Sequence, residues 1–221
     1  MHPELLFILT VAAMLVTVSV MASRPRGAAH TDAWPDQLPA HPRLLAKADK
    51  WDEMKQRRQT DAEFAELCEG LFVSADAVMS LPPMTREMEG RRLLHVSREL
   101  LRRVTLCAWA YRMTGDAKYL KRAERDMLDV CAFSDWNPNH FLDVAEMTAG
   151  LSIGYDWLHH DLGEATRATV RKAIIDKGLI PAKEPRWWQT AGNHGNQVCW
   201  ADAVMGALAV YEHERELAQS V

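Results

Sequence analysis

The sequence predicts an all-α chain. Apolar residues recur at three- and four-residue steps over long stretches, no segment shows convincing strand character, and short Gly, Asp and Pro breaks separate the helical stretches. A first helix over 43–59 reads as polar-amphipathic. A second over 61–79 carries Phe64, Leu67, Cys68, Leu71 and Val78 at helical steps and stops before Pro82-Pro83. The strongest helix spans 87–113, where Leu93, Val96, Leu100, Leu101, Val104, Cys107, Ala108 and Tyr111 build one apolar face. Thr114-Gly115-Asp116 ends it, with Gly115 suited to a left-handed cap and Asp116 to the next N-cap.

Leu120, Ala123, Met127 and Val130 carry the helix that follows, and so short a connection makes it antiparallel to its predecessor. The pattern returns with 141–158, a break at Leu162-Gly163-Glu164, and 165–177 closed by Gly178 and Pro181. A last apolar helix spans about 197–211. Repeated hairpins suggest an array or toroid, although periodicity alone leaves bundle, solenoid and toroid open.

The N-terminus is of another kind. Residues 5–22 form an uncharged apolar run ending in Val20-Met21-Ala22, a small-x-small pattern. His2 and Glu4 stand where a signal peptide would carry Lys or Arg, and a span needs about 20 apolar residues, so 1–22 reads as a signal peptide or a membrane anchor. Either assigns the chain to the periplasm or the cell exterior. Residues 23–42, rich in Pro, Ala and Gly, read as a linker, and 43–221 as the folded domain.

With 48% hydrophobic and 25% charged residues the composition is globular. A net charge of −4 provides no field for nucleic acid. An acidic partner would need a local basic cluster. The four cysteines lie far apart without metal-ligand spacing; they read as buried apolar residues, with a Cys107–Cys131 bridge as the alternative that export permits. No H-E-x-x-H, G-x-S-x-G, P-loop or G-x-G-x-x-G occurs, and no cofactor or metal is expected.

Three inter-helix segments carry more chemistry than a connector needs. The first, 134–141, gathers Trp136, Asn137, Asn139 and His140 around Pro138. The second, 185–189, holds Arg186, Trp187, Trp188 and Gln189; the third, 192–197, holds Asn193, His194 and Gln197 at the mouth of the last helix. Adjacent Trp residues beside Arg can stack a sugar ring and hold its acid group, or can simply cover the core edge. Asn193 and His194 at a helix N-terminus can neutralise a carboxylate and accept a proton, or can be a cap and a loop residue. His159-His160 reads as a structural helix end.

The pieces Ala110-Tyr111-Arg112-Met113-Thr114-Gly115-Asp116, Asp135-Trp136-Asn137-Pro138, His140-Phe141-Leu142-Asp143, Gly154-Tyr155-Asp156-Trp157-Leu158 and Asn193-His194-Gly195, in this order and spacing, resemble the helical domain of heparinase II/III-like polysaccharide lyases and related alginate lyases. The resemblance covers most of 41–218. It implies an incomplete (α/α) toroid, truncated here before the family's β-sandwich domain, and β-elimination of an acidic polysaccharide or oligosaccharide containing uronic acid. It makes Asn193 and His194 catalytic, flanking the substrate carboxylate, and places a proton-donating tyrosine farther along than Val221. Many relatives carry Asn-Asn-Trp-Asn where this chain has Gly192-Asn193-His194-Gly195, and the His form is nearer the alginate lyase pattern. The expectation is an N-terminal fragment with little activity alone, binding sugar through Trp136, Asn139, His140, Arg186, Trp187, Trp188 and Gln197. Two other readings stand beside it: a hydrolase on the same scaffold, using carboxylates from among Asp135, Asp143 and Asp156, and a non-catalytic glycan-binding remnant.

Overall fold

The computed structural model describes residues 35, 37–184, 186–190, 192 and 194–221, without the side chain of His194. The apolar run and most of the linker, including 1–34, lie outside the described residues. Within them the chain is helical, with α1 (Ala48–Thr60), α2 (Ala62–Val78), α3 (Leu94–Thr114), α4 (Ala117–Cys131), α5 (Phe141–Trp157) and α6 (Glu164–Ala173). A π-helical turn (Ile174–Leu179) continues α6 into the short α7 (Ile180–Lys183). A 3₁₀ turn (Trp187–Thr190), α8 (His194–Ala209) and α9 (Arg215–Gln219) complete it. None of these helices is long and apolar enough to cross a membrane.

Caps follow the local chemistry. The Asp61 carboxylate accepts the Phe64 amide at the start of α2, and Asp116 accepts that of Lys118 at the start of α4. Gly115 ends α3 in the left-handed region at φ 73°, as the Thr-Gly-Asp break predicts. Two boundaries differ from expectation. Residues 87–93 are not the first turns of α3: Gly90 adopts φ 59°, and Glu89 and Arg92 exchange backbone hydrogen bonds across a tight turn. Gly178 and Pro181 do not close the helix after α6 either. Pro181 sits in the first turn of α7, and the chain widens into the π turn ahead of it, where a helix can accommodate the ring.

The middle of the molecule is α5. Every residue from Phe141 to Trp157 except Leu142 is buried, and small side chains let neighbours approach closely. α3 packs along one flank and α8 along another. The contacts proceed in order: the Leu93 amide meets Asp143, Arg98 meets Glu146, Leu101 meets Gly150 and Val104 meets Gly154. α3 and α5 are therefore parallel, with the antiparallel α4 between them in sequence. On the other flank Asp202 stands near Glu146 and Gly206 against Thr148, so α8 is parallel to α5 as well. The N-termini of α3, α5 and α8 share one end.

Thr148 is one of the tight points of this packing. Its hydroxyl donates to the Val144 carbonyl at 2.7 Å, and its side chain is held between Gly178 of the π turn and Gly206 of α8. A Cβ added at Gly206 would stand 2.6 Å from the Thr148 methyl and 3.1 Å from Leu179. Gly206→Ala is therefore expected to destabilise the fold by about 1–3 kcal/mol through overpacking. Gly70→Ala, on the exposed face of α2 with open space around it, is expected to stabilise by about 0.5–1 kcal/mol. Denaturant midpoints measured for both variants check the pair.

Candidate functional site

The shared N-terminal end gathers all three chemistry-rich segments. Phe141 stacks on Trp188 at 4.5 Å between centroids, and Trp188 meets Trp200 of α8 edge-on at 5.1 Å. Arg186 donates to the Pro138 carbonyl at 3.2 Å, and the Asn196 amide donates to the carbonyls of Trp188 and Gln189. Segments far apart in sequence thus close around the start of α5.

At the centre is a buried carboxylate. Asp143, in the first turn of α5, is fully buried and accepts three N–H donors: the Leu93 amide at 2.6 Å, Asn137 Nδ2 at 2.7 Å and His140 Nδ1 at 2.7 Å. Asn137 also donates to the Arg91 carbonyl at 2.9 Å, and its left-handed φ of 58° is fixed by Asp135 accepting its own amide. The arrangement locks the 89–92 turn and the 134–140 segment together. It also fixes a proton on His140 Nδ1, leaving Nε2 for a ligand.

His140 lines a hollow of about 520 Å³ with Glu89, Gly90, Arg91 and Arg92. Other arginines at this end are neutralised: Arg86 by Asp135, Arg98 by both oxygens of Glu146, and Arg186 by Glu184. Arg91 and Arg92 are exposed, and neither forms an ion pair among the described residues.

Each expected sugar contact can be placed. His140 opens onto the hollow, and Asn139, Trp187 and Gln197 are exposed, Trp187 by 73%. Arg186 is partly buried against Pro138 and Glu184. Trp136 and Trp188 are core residues, exposed by 1% and 2%, and the Trp136 indole donates to the Val130 carbonyl at 3.1 Å. Neither offers a ring face to solvent. Asn193 and the side chain of His194 lie outside the described residues; His194 is the first residue of α8 and so belongs to the same end.

The carboxylates named for a hydrolase are already engaged. Asp135 is paired with Arg86, and Asp143 is saturated by donors. Asp156 is buried 13 residues along α5 from Asp143, about 20 Å away at 1.5 Å per residue. There it accepts His41 Nδ1 at 2.5 Å and the amides of Arg43 and Leu44. A second hollow at that far end, lined by Lys55, Tyr111, Arg112 and Gly115, also carries Asp161, which pairs with Arg112 at 3.6 Å.

All four cysteines are free thiols. Burial pushes Cys107, Cys131 and Cys199 up to about 12, so none serves as a nucleophile near neutrality. Among the described residues no group of three or more His, Cys, Asp or Glu could hold a metal ion. The chain matches no known protein-family model, and no curated protein matches it.

One acid went unnoticed in the sequence. Burial against α5, then the neighbouring charge of Glu146, push Asp202 up to about 7. An unfolded Asp releases its proton near 4, so folding takes up a proton between these values. Stability is expected to fall as pH rises from about 4 through about 7. Asp202→Asn should flatten that decline, and thermal melts across this range, with Glu146, Arg98 and His140 intact, measure it.

Proposed function

We propose that this chain is the helical part of a polysaccharide lyase, delivered to the periplasm or the cell exterior, that acts on glycans containing uronic acid by β-elimination. Its alternation of parallel α3, α5 and α8 with the helices between them supports a partial (α/α) toroid, whose substrate end is the one where these three helices begin. The observation that carries the reading is the His140–Asp143 pair on the hollow lined by Arg91 and Arg92.

Elimination from a uronide needs two things at neutral pH: something to stabilise charge developing on the carboxylate, and a base for the C5 proton. Asp143 holds His140 by Nδ1, which leaves Nε2 to serve as the acceptor at the hollow that His140 lines. The C5 proton passes to His140 Nε2, the C5–H electrons become the C4–C5 double bond, the C4–O bond breaks, and the leaving oxygen takes a proton from water. Asn193 and His194, at the start of α8, keep the carboxylate-flanking role that the sequence resemblance gives them. The acid for the leaving oxygen is not one of this chain's tyrosines. Tyr155 is buried, Tyr119 donates to Asp76, Tyr211 donates to the Pro35 carbonyl, and Tyr111 lines the far hollow.

The double bond gives a far-ultraviolet chromophore that hydrolysis does not. Assayed on the whole product of the reading frame with oligouronates, His140→Ala is expected to slow appearance of that absorbance by about 100-fold or more. Reducing ends released without the chromophore, or unchanged turnover in His140→Ala, sink the reading.

A further inference from the structure

We infer that the 89–92 turn and His140 form a binding site for an oxyanion carried on a sugar, either a carboxylate or a sulfate ester, with Arg91 and Arg92 as its recognising groups. The sugar in this statement rests on the function proposed above; the anion does not. At about 520 Å³ the hollow lies within the range of small-ligand sites, about 300–1,000 Å³.

The electrostatics favour negative charge. Arg91 and Arg92 line the hollow and have no carboxylate partner among the described residues, whereas Arg86, Arg98 and Arg186 around them each have one. Two carboxylates stand close by: Glu89 on the rim lies 3.7 Å from His95 Nδ1, and Asp143 behind His140 is enclosed by three N–H donors. The hollow also adjoins the first residues of both α3 and α5, whose positive dipole ends add to the field. A guanidinium presents a planar fork that matches carboxylate and sulfate oxygens in pairs.

The site is also built, not merely charged. Backbone bonds between Glu89 and Arg92 at 2.8 and 3.1 Å close the turn, and Gly90 supplies the left-handed residue it needs. Asn137 fastens the Arg91 carbonyl, and Asp143 fastens the Leu93 amide just beyond. Both arginines are therefore rooted in backbone that does not have to reorganise on binding. This arrangement provides the local basic cluster that a chain of net charge −4 needs to hold an acidic glycan.

The test is titration of the 221-residue chain with sodium sulfate, an oligouronate, a sulfated neutral oligosaccharide and the same oligosaccharide unsulfated, followed by calorimetry and amide chemical shifts. The oligouronate or the sulfated sugar should bind, the unsulfated one should not, and whichever binds identifies the anion. Arg91→Ala and Arg92→Ala should each weaken binding about tenfold, the value of one charge-assisted hydrogen-bonding group. Arg125→Ala, at an exposed arginine on α4, should leave it unchanged. Equal binding of the unsulfated sugar, no binding in any arm, or equal loss in the Arg125 variant overturns the site. Intact anion binding with no chromophore from the whole protein sinks elimination and leaves this site standing.

Discussion

A buried carboxylate near each end of α5 holds the rest of the molecule in register. Asp143 and Asp156 are both fully removed from water, and both face N–H groups of segments distant in sequence. A carboxylate accepts several charge-assisted hydrogen bonds at once, each stronger than a neutral one, and an unmatched charge in this place would be costly. Each aspartate therefore selects one arrangement of loops around it. At one end the loop is 89–93 with 137–140. At the other it is 41–44, whose Leu44 carbonyl accepts the Trp157 indole while His41 stacks on His159.

Those two ends have different chemistry because their surroundings differ. His159 is held neutral, down to about 4, chiefly by burial and then by the neighbouring His41 and Arg167. That end is saturated with partners and reads as structure. Among the described residues the opposite end leaves Arg91 and Arg92 without a carboxylate partner, beside a hollow that His140 also lines. Helices that run in parallel share an end, and this end receives the positive poles of α3, α5 and α8 together.

Much of this could be read from the sequence. Helix positions followed from apolar periodicity, and the α3–α4 break followed from Thr114-Gly115-Asp116 with the caps in place. The segments 134–141, 185–189 and 192–197 were legible only as three unusual stretches; the meeting of their described residues depends on α5, whose all-round burial gives it no amphipathic signature. Trp136 could not be told from a binding residue, because a core Trp and a sugar-stacking Trp differ only in what covers them. Arg91 and Arg92 were hidden inside a predicted helix, where two adjacent arginines look like a solvated face. Only Gly90 hinted at the turn that displays them. Asp202 was hidden in the same way, since its perturbation comes first from burial among packed helices and then from Glu146 on α5.

The pair Trp187 and Trp188 has a mechanical consequence. In a 3₁₀ turn successive side chains diverge by roughly 120°, so sinking one indole into the interior forces its neighbour outward. Trp188 acts as a bolt clamped by Phe141 and Trp200, and Trp187 is the knob on the outside of the same door. The outward indole is thus presented by a backbone that cannot swivel without tearing open the interior.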